Sequence, residues 1–163
     1  MKERIEEAIF AGGCFWGIES LMKKKEGVLE AVSGYTGGDE PNPTYREVCL
    51  GKNSHIEAVR VRYDANKVSY RELAKYFFEI HDPDQVGGQG PDHGEQYRSE
   101  IFYNSQEQKD IALELIQILR SKGYNPTTLV SPAKKFWEAE DYHQNYFERN
   151  PNAMTCHFWK KRF

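Results

Sequence analysis

Residues 10–19 read FAGGCFWGIE, and this stretch says more about the fold and chemistry than any other part of the chain. The apolar segment from Ala8 to Ala11 predicts a short strand, and two glycines then allow a tight turn before Cys14. Apolar side chains recur after the turn at helical spacing, at Phe15, Ile18 and Met22. The stretch therefore predicts a strand, a turn and a helix that begins at a cysteine.

A cysteine at this position is placed for nucleophilic chemistry. The first turn of a helix has unpaired backbone N–H groups and the positive end of the helix dipole, and both favour the thiolate. Phe15 and Trp16 could wall an apolar pocket beside it. The alternative is that Cys14 is a small buried hydrophobe at a turn, since free cysteine is among the most buried residue types.

Length and composition predict one globular catalytic domain over residues 1–163, with a short C-terminal tail, residues 150–163, that carries Cys156. The 22 basic and 25 acidic residues nearly balance, which argues against nucleic-acid binding by bulk charge. The charged segment Met1–Glu7 has no apolar signal region, and no apolar stretch is long enough to span a membrane. We therefore expect a cytoplasmic protein without a membrane partner.

Strand and helix signals alternate along the chain, which predicts an α/β or α+β fold. The clearest strand signal runs from His55 to Tyr63, where Glu57 shares a face with apolar residues while Arg60 and Arg62 point the other way. A carboxylate on that face should be desolvated, which raises its pKa and makes it a plausible proton donor. The alternative is a strand end at which the side chain reaches water.

The three cysteines are an odd number, so a closed disulfide framework is not expected. Cys49 is flanked by apolar residues and reads as a packed core thiol. Cys156, near the C-terminus, could reach an oxidised thiol or could be structural, packed under Phe158 and Trp159. No pair of cysteines or histidines has a short zinc-ligand spacing, so no metal site is predicted.

Several ordered segments together resemble the type A peptide methionine sulfoxide reductases over nearly the whole chain. These segments are residues 13–17 (GCFWG), 33–38 (SGYTGG), 45–49 (YREVC), 90–99 (GPDHGEQYRS) and 140–144 (EDYHQ). The resemblance implies an α+β two-layer sandwich, with a mixed sheet around a split βαβ, ferredoxin-like core and long coil excursions. It implies an enzyme that reduces methionine S-sulfoxide, free or in oxidised proteins. We also expect a monomer without bound cofactor or metal. Thioredoxin or another dithiol would be the external reductant.

The resemblance also assigns roles to residues that are unremarkable alone. Cys14 corresponds to the catalytic nucleophile, which becomes a sulfenic acid, and Glu57 to the residue that protonates the sulfoxide oxygen. Tyr45 and Tyr97 correspond to the phenols that hydrogen-bond this oxygen. The rival interpretations are another thiol redox catalyst, such as a peroxidase, and a noncatalytic module that binds methionine-containing segments.

Substrate binding and recycling fall to a second group of residues under the same resemblance. Phe15 and Trp16 would line the pocket for the substrate's methyl group, and Asp92 would help to position its backbone. The family commonly carries its resolving cysteine in a glycine-rich tail, whereas the tail after Cys156 has no glycine. We assign the resolving role to Cys156, with Cys49 or an external thiol as the alternatives.

Overall fold

A six-stranded mixed sheet forms the centre of the computed structural model, which describes residues 2–163. Its strands, in chain order, are β1 (Ile5–Gly12), β2 (Val28–Thr36), β3 (Ile56–Asp64), β6 (Ser99–Tyr103), β7 (Leu129–Pro132) and β8 (Trp137–Glu138). Two further short strands, β4 (Gly88–Gln89) and β5 (Asp92–His93), pair with each other. The helices are α1 (Phe15–Lys23), α2 (Tyr45–Cys49), α3 (Tyr70–Glu79), α4 (Gln106–Ser121) and α5 (Tyr146–Arg149).

The spatial order of the sheet is β7-β6-β1-β3-β2-β8. Strand β3 runs antiparallel between β1 and β2, so the β1-α1-β2 unit is a split βαβ. The four strands β6-β1-β3-β2 have the ferredoxin-like order, and β7 adds to this core in parallel beside β6. The predicted fold class is confirmed.

One face of the sheet and the long helices enclose the main core. Phe10 of β1 stacks on Phe77 of α3 at 4.9 Å, and Val59 and Val61 of β3 are fully buried in the same cluster. Truncating one of these buried phenylalanines to alanine should cost about 3–5 kcal/mol of stability. A smaller cluster on the opposite face is formed by Ile9, Ala11, Ile56, Ala58 and Phe102.

Helix starts follow the sequence signals for N-terminal caps. The hydroxyl of Ser69 accepts the N–H of Glu72 at the start of α3, and Ser105 does the same for Gln108 at the start of α4. Each cap satisfies one backbone donor that the helix itself leaves unpaired. The main helices therefore begin where local sequence predicts.

The turn between β1 and α1 depends on its two glycines. Gly13 has φ +94°, which a residue with a side chain rarely adopts. At Gly12 an added Cβ would lie 2.9 Å from the ring of Phe77, so the backbone passes close to α3. The turn brings Cys14 to the edge of the sheet, facing the segment that links α3 to β6.

That linking segment contains β4, β5 and a short 3-10 helix at Glu95–Tyr97. It is the coil excursion that supplies Asp92 and Tyr97 to the neighbourhood of Cys14. Within residues 2–163, no helix is both long and apolar enough to cross a membrane.

Candidate active site

Cys14 is the N-cap residue of α1, and its side chain is partly buried. Its own side chain makes no capping hydrogen bond. Instead, the carboxylate atom Oε1 of Glu57 accepts the N–H of Phe15 at 3.1 Å, across from the neighbouring strand β3. The helix start thereby places a thiol and a buried carboxyl group side by side.

The surroundings of Cys14 favour the protonated thiol. Burial raises its pKa well above the ordinary value, and Glu57, when it is ionised, raises the pKa further. A backbone hydrogen bond from Trp16 acts in the opposite direction and is too weak to offset these effects. Burial therefore opposes the thiolate that the helix terminus favours, because desolvation disfavours the charged form of the thiol.

Glu57 is the most unusual carboxyl group in the structure. It is 1% exposed, and burial raises its pKa from 4.5 to about 8, with a smaller contribution from the charge of Asp92. The Phe15 N–H lowers the pKa but satisfies only Oε1, and Oε2 has no hydrogen-bond partner among residues 2–163. The alternation of side chains along β3 predicts this burial. With a pKa of about 8, the Glu57 side chain is mainly a carboxylic acid at neutral pH, and its Oε2 is unpaired.

Two phenols lie close to this acid. Tyr45 comes from α2 and Tyr97 from the 3-10 helix that follows β5. Burial raises the pKa of both tyrosines, and the charge of Glu57 contributes to each, which shows that both lie within electrostatic range of it. Both hydroxyls therefore stay protonated and are available as hydrogen-bond donors at neutral pH.

Aromatic side chains enclose the other side of Cys14. Phe15 is 1% exposed, and its ring lies 6.4 Å from that of Tyr45. Trp16 stacks on Tyr146 with the ring centroids 3.7 Å apart. The Trp16 Nε1–H donates to Nδ1 of His143 at 2.9 Å, which fixes the plane of the indole. The result is a rigid apolar surface beside the thiol.

Comparisons with known proteins agree with this geometry. The family model described as peptide methionine sulfoxide reductase matches residues 6–162. The chain belongs to the peptide methionine sulfoxide reductase family. It is 49% identical over 150 residues to the peptide methionine sulfoxide reductase MsrA of Nautilia profundicola, covering 92% of this chain and 87% of that protein.

Solved structures give the same result for the fold of the reductase. The reduced form of Mxr1 from Saccharomyces cerevisiae superposes with a TM-score of 0.90 at 33% identity, covering 96% of this chain and 93% of the yeast chain. Mxr1 in complex with Trx2 superposes with a TM-score of 0.65 at 24% identity, covering 98% and 95%. The chain is an oxidoreductase that reduces methionine sulfoxide to methionine.

The structure adds two residues to the reductase site that the sequence did not single out, His143 and Tyr146. His143 lies within the EDYHQ segment and Tyr146 follows it two residues later, and the resemblance of this segment to the family assigned neither residue a role. His143 is fully buried, and burial lowers its pKa, so the ring is neutral. Because Nδ1 accepts from Trp16, the hydrogen is on Nε2, which has no partner among the described residues. His143 therefore offers a second unpaired polar atom near the pocket.

The carboxylates of partly buried Glu140 and buried Glu19 hold this segment against the sheet. Glu140 accepts the hydroxyl of Tyr35 at 2.8 Å and the N–H of Tyr45 at 3.0 Å, which joins the segment to α2. Glu19 of α1 accepts the hydroxyl of Ser33 at 3.0 Å and the N–H of Asn145 at 2.9 Å. These bonds fix the elements that carry the aromatic residues, so the pocket is preorganised.

The remaining cysteines of the reductase differ from each other in their surroundings. Cys49 is partly exposed rather than packed in the core, and its thiol lies within hydrogen-bonding reach of the Tyr45 and Tyr97 hydroxyls. Cys156 is exposed and lies within electrostatic range of Cys14, because its thiolate form would raise the pKa of Cys14. All three cysteines are free thiols. Among residues 2–163, no three His, Cys, Asp or Glu side chains converge to hold a metal ion.

Proposed function

We propose that the reductase transfers the oxygen of methionine S-sulfoxide to the sulfur of Cys14, with Glu57 as the proton donor. The observation that carries this proposal is the buried, protonated carboxyl group of Glu57, whose free Oε2 lies beside the helix start that bears Cys14. A sulfoxide sulfur is a poor electrophile until its oxygen is hydrogen-bonded or protonated. The uncharged carboxylic acid of Glu57 can donate its proton to the sulfoxide oxygen, and it places no negative charge beside the sulfur of Cys14.

The reductive step balances in atoms and protons. Glu57 protonates the sulfoxide oxygen while the sulfur of Cys14 attacks the sulfoxide sulfur, and the thiol proton returns to the Glu57 carboxylate. The hydroxyl then moves to the Cys14 sulfur as the substrate's S–O bond and the transient bond between the two sulfur atoms break, so that methionine leaves and Cys14 is a sulfenic acid. The hydroxyls of Tyr45 and Tyr97 donate to the oxygen as charge develops on it.

Substrate selection would come from the aromatic surface and the excursion loop. Phe15 and Trp16 hold the apolar S-methyl group and exclude water, while Asp92 accepts a hydrogen bond from the backbone amide of the substrate methionine. The resemblance to the type A reductases implies the S epimer as the substrate, with its methyl group against the indole and its oxygen against the phenols. The proposed substrates are free and protein-bound methionine S-sulfoxide.

Recycling would require a second thiol. Cys156 condenses with the Cys14 sulfenic acid to a disulfide and releases water, and an external dithiol reduces that disulfide by exchange. We propose thioredoxin as this reductant, because the yeast relative Mxr1 has been solved in complex with Trx2. No bound cofactor is required, because the dithiol supplies both electrons.

The proposal also includes the oligomeric state, the extent of the catalytic domain and the cellular location of the protein. The chain would act as a monomer, with residues 1–163 as one catalytic domain and residues 150–163 as its tail. Its place would be the cytoplasm, where three free thiols remain reduced.

The proposal is tested by single-turnover reduction of the two purified epimers of N-acetylmethionine sulfoxide by reduced protein, without external reductant. We expect one equivalent of N-acetylmethionine from the S epimer and none from the R epimer. Cys14→Ser should form no product, and Cys49→Ser serves as the matched control that keeps the first turnover. Equal reduction of both epimers, or product from Cys14→Ser, would contradict the assignment.

A further inference from the structure

The C-terminal tail, residues 150–163, folds back against the turn that carries Cys14. It contains no helix or strand, and most of its side chains are exposed. His157 is the exception: it is 3% exposed, whereas its neighbour Phe158 is 70% exposed and Cys156 also faces solvent. A single side chain is thus inserted into the protein directly beside the proposed resolving cysteine.

The imidazole of His157 lies between the turn before Cys14 and the first turn of α1. Its Nε2–H donates to the carbonyl oxygen of Gly12 at 2.7 Å. A Cβ at Gly17 would overlap the Nδ1 atom of the ring, and one at Gly13 would lie 3.3 Å from Nε2. The absence of side chains at these positions therefore creates the space that the ring fills.

Two further contacts fix the tail on either side of His157. Before it, the hydroxyl of Thr155 accepts the His157 N–H at 3.1 Å, which closes a tight turn around Cys156. After it, the Lys160 N–H donates to the carbonyl oxygen of Glu79 at 2.8 Å, and the Arg162 N–H donates to the Glu79 carboxylate at 3.1 Å. The tail is therefore attached at two points, the catalytic turn and the end of α3.

This attachment places Cys156 at the rim of the active site. Cys156 packs against the excursion loop, where a Cβ added to Gly90 would lie 3.5 Å from the Cβ of Cys156. It lies within electrostatic range of Cys14 and of Asp92. Cys156 therefore lies on the excursion-loop side of the turn, while His157, the next residue, is buried against the turn itself.

We propose that His157 is a positioning residue for the resolving step, holding Cys156 next to Cys14 so that the sulfenic acid is captured within the same molecule. The inference rests on the proposed function, in which Cys14 becomes a sulfenic acid and Cys156 resolves it. In that step the Cys156 thiol attacks the Cys14 sulfur, the S–S bond forms, the S–O bond breaks, and the hydroxyl leaves as water with the thiol proton. Holding both groups in place raises the effective concentration of one thiol at the other.

The test separates the two halves of the cycle by rapid quench after mixing reduced protein with one equivalent of N-acetylmethionine S-sulfoxide. Methionine release reports the reductive step, dimedone trapping reports the sulfenic acid, and intact-protein mass reports the disulfide. We expect His157→Ala to release methionine at the wild-type rate but to form the disulfide about tenfold more slowly, the effect of losing one well-placed hydrogen bond. His157→Gln, whose amide can still donate to the Gly12 carbonyl, should recover most of the rate.

Gly17→Ala tests the same contact from the opposite side. Its methyl group occupies the space of the His157 ring, while alanine itself favours the helix. We expect the disulfide rate to fall relative to the rate of methionine release, as in His157→Ala. This variant keeps the test decisive if His157→Ala does not fold.

Three outcomes would overturn the inference. The first two are disulfide formation at the wild-type rate in His157→Ala and disulfide formation at the wild-type rate in Gly17→Ala. The third is an equal slowing of methionine release and of disulfide formation in His157→Ala, because the ring would then only stabilise the catalytic turn. Cys156→Ser is measured in parallel with thioredoxin. If this variant turns over normally, the resolving role in the proposed function has failed; if it does not, a normal His157→Ala refutes the positioning role alone.

Discussion

Replacing Glu57 with glutamine removes the proton donor while keeping the shape of the side chain. With a pKa of about 8, the wild-type carboxyl group is about nine-tenths protonated at pH 7. Glutamine can still accept the Phe15 N–H but has no proton to release. Loss of general acid catalysis should slow the reductive step by about 10²- to 10⁴-fold.

The same substitution, which slows the reaction, should make the folded protein more stable than the wild type as the pH rises. Because the pKa is raised from 4.5 to about 8 on folding, the unfolded chain releases this proton at lower pH than the folded protein. The contribution to stability is thus fully present below pH 4.5 and is lost as the pH rises to about 8. At 1.36 kcal/mol per pH unit the loss reaches at most about 5 kcal/mol, and Glu57→Gln should escape it.

Both effects can be measured on one pair of variants. Single-turnover methionine release gives the reductive rate, and urea unfolding at pH 5 and pH 9 gives the free energy of unfolding. Glu30→Gln, an exposed carboxylate on the neighbouring strand β2, is the matched control and should change neither quantity. Undiminished reduction by Glu57→Gln would rule out Glu57 as the donor, and equal pH dependence of wild type and variant would contradict its raised pKa.

Three further predictions concern the pocket and the scaffold. Tyr45→Phe and Tyr97→Phe should each slow single-turnover reduction about 10- to 100-fold by removing a donor to the sulfoxide oxygen, and a double variant at the wild-type rate would exclude both phenols. Trp16→Phe loses the hydrogen bond to His143, so it should raise the KM for N-acetylmethionine sulfoxide more than it lowers kcat; the reverse pattern would argue against a binding role. Ser105→Ala removes the cap of α4 and should lower the free energy of unfolding by about 1 kcal/mol in urea, with reduction of the first equivalent unaffected.

Local patterns in the sequence predict the parts of the site that depend on regular structure. Alternation along β3 places Glu57 with Val59 and Val61, and all three are buried. The GGC turn predicts where α1 begins, because a positive φ at Gly13 requires glycine. These features are set by near neighbours, so a single sequence reveals them.

The protonation state of Cys14 shows the limit of such reasoning. The helix terminus is visible in the sequence and favours the thiolate, but the opposing effects come from the whole fold. Burial by the surrounding elements raises the pKa of Cys14 most, and Glu57, 43 positions away in the chain, raises it further when it is ionised. An electrostatic balance of this kind cannot be read from residues near Cys14 alone.

Long-range contacts account for the residues that the sequence did not assign. Trp16 and His143 are 127 positions apart, and the Gly12 carbonyl and His157 are 145 apart. A histidine in a polar aromatic segment gives no local sign of its partner. The space for the His157 ring exists because Gly13 and Gly17 have no side chains, and only the folded chain brings these distant glycines to the tail.

The most direct test of the central claim uses the Cys156→Ser variant, in which a sulfenic acid cannot be resolved by the tail. The reduced variant is mixed with one equivalent of methionine S-sulfoxide without reductant, and peptide mass spectrometry follows dimedone trapping. We predict one equivalent of methionine and a dimedone adduct on Cys14, with Cys49 unmodified. Methionine formed without an adduct or disulfide at Cys14, or no methionine at all, would contradict oxygen transfer to this residue.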